Sequence, residues 1–542
     1  MPSPVPADDA RRFRRRHAVA FVFGIAACTA GVLLHLPMYF GARDMGYQLA
    51  GMQPDPAMIS GMALIGIGLA TFLYALMPPR SREIELRASR IRVRALDDMP
   101  LRRQHVALLA VLAVAVTIDL MKPITLSFVA PGMAREYGLK SPANPHGGLP
   151  VSLLPLVAIT GTVVGSLLWG ALADRIGRRS SVLLSAMLFV TTAICGAMPG
   201  FSWNLLMCFI MGAAVGGMLP VAFALMAETI PARHRGWLMV LIGGNAAGAY
   251  VITSWLAGAL TPHFSWRILW LIGLPTGLLL IVLNRWIPES PRYLLATGRK
   301  AEAERTMAYY GAVVVTDESP EPPQARTRVQ EGFAQVLRRP FLGITLAASV
   351  LALGTGLVTY GFQLWIPTNL QHLGLGAVNS DYMIRDAALI SLPVTVVAAL
   401  VYGFWSSRKT IAVLSALTTV SLLGFAVGGN SLAHNHLLFS ALLVVPLSGV
   451  SSVTAAILAY ACELYPTRVR SRGTGIISGM TKAGGVLIIG VVTVALTIPS
   501  ISVTALIGAA PLFAATLIFA RAGAETSHRS LEEITTATVP VA

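Results

Sequence analysis

The chain has 542 residues, of which 55% are hydrophobic and only 12% charged, with a mean hydropathy of +0.68. Soluble globular proteins carry about 25% charged residues, so a water-surrounded domain is excluded and a polytopic membrane protein is implied. The formal net charge of +16 resides largely in arginines lying between the apolar runs, which is a topology signal and not a nucleic-acid surface. The cysteines, Cys28, Cys195, Cys208 and Cys462, sit inside apolar runs or at their ends without paired or metal-ligand spacing, so neither a disulfide nor a metal site is expected.

A membrane span needs about 20 apolar residues. The first run, 18–40, follows the basic stretch "RRFRRRH" in the order of a secretion signal, but it is too long for one and a second run, 57–77, follows. It reads as an uncleaved anchor. Both runs are rich in small residues ("GIAACTAG", "SGMALIGIG") suited to helix packing or self-association. A basic connector, "RSREIELRASRIRVRAL", carries intermittent aliphatics and is expected on the cytoplasmic membrane surface. Twelve more runs follow at 105–133, 152–173, 181–199, 202–227, 237–260, 266–286, 341–368, 383–404, 410–429, 436–462, 474–498 and 501–520, here numbered as core helices 1–12.

This gives an N-terminal two-span extension with its connector (1–104), a first six-helix half (105–292), a polar linker (293–340), a second six-helix half (341–520) and a tail (521–542). The linker has a helical pattern around "RKAEAERTMAYY" and turn chemistry in "TDESPEPPQ". Arg-rich segments alternate with Arg-poor loops along the chain, which places both termini in the cytoplasm of a multi-pass plasma-membrane protein, the inner membrane if bacterial.

The halves echo one another. "AETIPARHRG" (227–236) follows core helix 4 and "CELYPTRVRS" (462–471) follows core helix 10, each with Glu, then Pro three residues on and Arg seven on: Glu228, Pro231, Arg235 and Glu463, Pro466, Arg470. "GALADRIGRR" (170–179) after core helix 2 has a weaker echo in "GFWSSRK" (403–409) after core helix 8. Matching charged loops imply a duplicated bundle with a cavity between its halves.

"GALADRIGRR" resembles the loop that follows the second helix in the major facilitator superfamily. "PESPRYLLATGRKAEAE" (288–304) and "AETSHRSLEEI" (524–534) are similar to motifs of its sugar-porter branch and of the related metabolite:proton symporters. The resemblance implies an all-α polytopic membrane protein, a twelve-helix two-half bundle preceded here by two extra N-terminal transmembrane helices. It also implies a secondary transporter working by alternating access, with no enzyme activity and no cofactor. Core helix 7, "LGTGLVTYGFQLWIPTNL", carries Tyr360 and a single Gln363 in place of the Gln-rich stretch of sugar porters. In the superfamily the loop Asp docks near the eleventh helix, so Gly170, Asp174, Arg175, Gly177, Arg178 and Arg179, with Glu228, Arg235, Glu463 and Arg470, are the expected parts of a cytoplasmic latch.

Core helix 1 places Asp119, Lys122 and Pro123 inside apolar sequence. Asp119 and Lys122 are three apart and share a helix face. Buried charges cost at least about 2.5–3.5 kcal/mol each on insertion scales, which makes them functional by default. Pro123 cannot donate to the Asp119 carbonyl and loosens that turn. The expected roles are Asp119 as proton-coupling carboxylate and Lys122 as substrate-facing cation, freed when Asp119 is protonated. Lys482 in core helix 11 is a second intramembrane cation. Arg385 lies near the end of core helix 8, where snorkelling and substrate contact are both open; Asn245, Tyr360, Gln363 and Trp365 could supply uncharged contacts or packing. Two cations against one central acid favour a small organic anion, a carboxylate or aromatic acid, taken up with protons. A sugar:proton symporter and a transporter-like nutrient sensor are the alternatives.

Overall fold

In a computed structural model, the chain is described over residues 7–77, 92–95, 99–141, 144–315, 337, 341–372, 374–429, 432, 435–465, 467–495 and 500–522. Apolar segments in a bilayer must satisfy their backbone groups internally, and helices do so. Thirteen helices among the described residues are long and apolar enough to cross a membrane. Arg16–Gly41 and Pro56–Leu76 form the extension. In the first half lie Arg103–Glu136, Arg178–Ala197, Phe201–Thr229, Arg233–Phe264 and Ile268–Trp286, and in the second Thr345–Gln371, Ala377–Phe404, Ser407–Gly428, Leu437–Glu463, Gly473–Val494 and Ile501–Arg521. The 24-residue helix Leu153–Ile176 completes the core as core helix 2. The expected twelve-helix, two-half architecture with two preceding helices is therefore present.

Core helix 2 packs on 4 and 1 on 5; in the second half 8 packs on 10 and 7 on 11. The halves meet along two seams, core helix 5 against 8 and core helix 2 against 11. Two irregularities fall near these seams. Core helix 5 is broken into Ala232–Gly243 and Ala246–Phe264. Core helix 7 contains a π turn, Val358–Phe362, with Tyr360 at its centre. Core helix 1 stays helical for 34 residues through Pro123 and Pro131. Core helix 8 begins at Ala377, six residues before the expected 383, so Arg385 is its ninth residue and not within its first turn. The polar letters "NSDY" precede the expected span, yet they form the helix's first turns, with Ser380 and Asp381 buried.

The extension is a tight hairpin. Its helices cross at small residues, and a Cβ on Gly31 would lie 2.7 Å from the Gly61 carbonyl oxygen. Asp55 caps the second helix, its Oδ1 accepting from the Met58 N–H (2.6 Å). Cys28, Val32 and Phe72 then share one buried cluster with Leu184, Met187, Val190 and Ile194 of core helix 3.

Two short strands were not anticipated: β1 (Arg92–Ala95), in the connector, pairs antiparallel with β2 (Ala312–Val315), in the linker. At its described residues the connector is thus tied to the linker. The rest of it, 78–91 and 96–98, lies outside the described residues, as do the "TDESPEPPQ" segment and the "AETSHRSLEEI" motif. The helical pattern of the linker appears as Lys300–Tyr310. Its end is fixed by His105, whose buried ring takes the Arg102 N–H at Nδ1 (3.0 Å) and faces the carbonyls of Tyr310 (2.9 Å) and Thr229 (3.1 Å) with Nε2.

Candidate functional site: an intramembrane acid at the seam

Asp119 is the 17th residue of the 34-residue core helix 1, roughly 24 Å from its start at 1.5 Å per residue. It is 2% exposed, and its Oδ1 has no hydrogen-bond partner among the described residues. It makes no ion pair within 4.0 Å among them either. A carboxylate oxygen left this way costs free energy unless something arrives to satisfy it. Lys482 exerts the largest Coulomb attraction on it and Lys122 the next; the Asp119 charge is also felt at Tyr360, and Tyr360 in turn at Tyr250.

The two lysines point differently. The Lys122 Nζ lies 5.3 Å from the centre of the Phe189 ring and 2.9 Å from where a Cβ on Gly273 would stand. Both neighbours belong to the first half, so its ammonium is lodged within that half, over an aromatic face that attracts cations. A shared helix face with Asp119 did not fix where a long side chain ends. Lys482, midway along Thr467–Ala495, reaches across the seam and donates to Ser166 Oγ of core helix 2. Ser166 in turn donates to the Thr162 carbonyl (2.7 Å). The cation that spans the halves is therefore Lys482.

The uncharged candidates divide. Asn245, at the break in core helix 5, donates from Nδ2 to Thr117 Oγ1 of core helix 1 (2.7 Å), two residues before Asp119. Tyr360 packs so close to core helix 11 that a Cβ on Gly485 would lie 2.5 Å from its Cδ2. Gln363 is buried within the second half, donating to the Pro446 carbonyl (2.8 Å), and Trp365 is fully buried beside it in sequence. Arg385 is paired with its neighbour Asp386 (2.6 Å) over the Tyr382 ring and is not gathered with Asp119. Thr117, Ser166 and Tyr250 were missed by the sequence reading. Their only signal was polarity inside an apolar run.

The charged loops gather at one end of the bundle. Glu289 of the "PESPR" segment accepts from the backbone N–H groups of Arg178 (2.7 Å) and Arg179 (3.3 Å), capping the N-terminus of core helix 3. Gly177, just before, has φ +94, and a Cβ there would lie 2.5 Å from Glu289 Oε2. Ser290 donates to Glu228 Oε2 (2.5 Å), and Arg235 donates to the Ile230 carbonyl (3.3 Å). Arg175 is part-buried at the end of core helix 2. Glu463 accepts from Tyr402 OH (3.1 Å) and also lies against Gly236, so it bridges the halves. Beside it, Trp237 of core helix 5 packs on Gly403 of core helix 8. The side chains of Gly170, Asp174 and Arg470 lie outside the described residues.

At the opposite end, Arg267 and Glu136 form a buried pair (2.6 Å) with side chains 0% and 5% exposed. Arg267 also donates to the carbonyls of Met198 (2.8 Å) and Gly196 (3.3 Å) and to Tyr137 OH (2.9 Å). Glu136 in turn accepts from the N–H groups of Leu49 (2.7 Å) and Ala50 (3.1 Å), which ties the extension's loop to core helix 1.

Comparison with known proteins agrees with this architecture. The model of the Major Facilitator Superfamily matches residues 107–488. The niacin transporter NiaP of Acinetobacter baylyi is 27% identical over 398 residues, covering 73% of this chain and 88% of that protein. The putative niacin/nicotinamide transporter NiaP of Bacillus subtilis is 26% identical over 380 residues, covering 70% and 86%. Among solved structures, the proton:xylose symporter XylE bound to 6-bromo-6-deoxy-D-glucose superposes with a TM-score of 0.62 at 18% identity, covering 80% of this chain and 99% of that one. At that identity the likeness is one of fold.

Proposed function

This chain belongs to the Major Facilitator Superfamily, as a multi-pass membrane transporter and not an enzyme, and we propose that it carries a small organic anion together with a proton by alternating access. The observation that carries this reading is the buried Asp119, with Oδ1 unsatisfied and Lys482 the cation most strongly felt at its carboxylate. While Asp119 is ionised, its field holds the Lys482 ammonium. Protonation of Asp119 removes that attraction, and Lys482 turns its charge to a carboxylate in the seam. Proton and anion then favour one another's binding, as symport requires. Lys122, held on Phe189, keeps a positive field near Asp119 without meeting the substrate. Tyr360 and Asn245 supply the uncharged contacts. Gln363 fixes core helix 7 to core helix 10, and Arg385 stays outside the site.

The names of two relatives supply a chemical class: niacin is a small aromatic carboxylate. In this reading the charged loops around Glu289, Glu228 and Glu463 face the cytoplasm, both termini lie there, and the membrane is the plasma membrane, the inner membrane in a bacterium. In this reading the Glu463–Gly236 and Trp237–Gly403 contacts close that face. The small residues of the extension are engaged within its hairpin, so we assign it packing on core helix 3 in preference to self-association.

The test is proton movement into proteoliposomes on addition of nicotinate, a panel of other carboxylates, or sugars. External alkalinisation with a carboxylate, absent in Asp119→Asn, is the expected result. A response to sugars alone transfers the reading to a sugar:proton symporter. Binding without any transmembrane movement favours a sensor.

A further inference from the structure

A cavity of about 620 Å³ opens at the end opposite the charged loops, and three parts of the chain build it. The extension contributes Arg43 and Tyr47, the first half contributes Arg135, His263 and Trp266, and the second half contributes Asp381. It lies within the usual size range of small-molecule sites. Two features mark it as more than a surface dent. Among the described residues, the two non-glycine residues with positive φ are Tyr47 (φ 60) and Ser265 (φ 63), and both line it. Such strain persists only where the surroundings impose it. Asp381 is 6% exposed, lines the cavity, and has neither a hydrogen bond nor an ion pair within 4.0 Å among the described residues.

We propose that this cavity is an outer antechamber that holds a small aromatic carboxylate before it enters the central seam, with the N-terminal extension supplying one of its two anion-binding arginines. The proposal rests on the anion reading above. The charged groups facing the cavity are Arg43 and Arg135 against Asp381, with His263 at the rim. The two guanidiniums give the cavity a positive balance, which a carboxylate reduces. Guanidinium groups favour carboxylates by geometry as well as charge. Tyr47 and Trp266 offer aromatic faces for a ring. Tyr47 is held in place by stacking on Tyr39 (4.8 Å), and its loop is pinned to Glu136 through Leu49 and Ala50. Asp381 lines the same cavity from the other half.

The test measures benzoate binding by calorimetry to the full chain in nanodiscs, in an Asp119→Asn/Lys482→Gln background that silences the central seam. Arg43→Gln weakens benzoate binding by about tenfold, the loss of one charge-assisted contact. Asp381→Asn strengthens it, because an acid lining the same cavity is gone. Benzamide, of the same shape without the charge, does not bind. Arg43 is an exposed loop residue, so its replacement leaves the fold intact. Equal binding in Arg43→Gln and Asp381→Asn, or equal binding of benzamide, overturns the proposal. Carboxylate-driven proton uptake by the otherwise intact chain that Arg43→Gln does not alter also removes the antechamber while leaving the symport reading standing. Arg43-dependent benzoate binding in a protein that moves no protons does the reverse.

Discussion

Replacing Arg267 by Met removes the guanidinium from a buried pair whose side chains are 0% and 5% exposed. Glu136 would keep the Leu49 and Ala50 N–H groups and the Trp266 Nε1–H (2.8 Å), but it would lose the counter-charge paired with it, and the Gly196 and Met198 carbonyls would lose a donor. Breaking a buried pair from one side costs about 3–5 kcal/mol, because the remaining charge is uncompensated. The double variant Arg267→Met/Glu136→Met removes both charges and should recover part of that loss, despite also freeing the loop at Leu49. Thermal unfolding of the purified protein in detergent reads the ranking: wild type most stable, the double variant between, and Arg267→Met lowest. Protease cleavage within residues 42–55 should rise in the double variant, which loses the acceptor of the Leu49 and Ala50 N–H groups, and stay near the wild-type level in Arg267→Met. A double variant no more stable than Arg267→Met would refute the reasoning, since the cost would then come from lost packing and not from an isolated charge.

Glu289 lies outside the membrane helices, and burial holds its carboxyl above the ordinary 4.5 even though the N–H groups of Ser290, Arg179 and Arg178 pull the other way. Such a group binds its proton more readily folded than unfolded. Its contribution to stability is therefore full below pH 4.5 and is lost as pH rises through the raised value. Glu289→Gln should flatten that part of the stability–pH profile, and an unchanged profile counts against the assignment. Gly403→Val meets Trp237, whose Cβ would already lie 2.6 Å from a Cβ at residue 403. The added bulk should hold the charged-loop end apart, raising the labelling of a cysteine placed in the seam from that side. Labelling equal to that of the parent would show that the contact does not close this end.

Length and composition made the spans legible, because a run of about 20 apolar residues has few fates other than crossing a bilayer. Glu463 and Glu228 were legible from the repeated loop sequence, and Asp119 from its cost in an apolar run. Other parts needed the third dimension. Lys122 shares a helix face with Asp119, but four side-chain torsions carried its ammonium to Phe189. Lys482 finds its partner Ser166 across 316 residues, and Glu136 finds Arg267 across 131, separations at which spacing says nothing. Glu289 stood within a recognised motif, yet its work as a cap on core helix 3 depended on Gly177 bringing the backbone to it. The β1–β2 pairing joins two polar segments that lack alternating apolar patterns long enough to read as strands. Polar first turns likewise hid the start of core helix 8.

The central claim is that Asp119 couples the proton to the anion without being needed for the anion to cross. Exchange of labelled substrate between equal pools requires only loaded carriers, whereas accumulation driven by a pH gradient requires the proton to travel too. Both should be measured in proteoliposomes for wild type and Asp119→Asn, using the carboxylate that gives the strongest proton signal. The account predicts that the variant retains exchange and loses gradient-driven accumulation. Accumulation that survives in Asp119→Asn would contradict it.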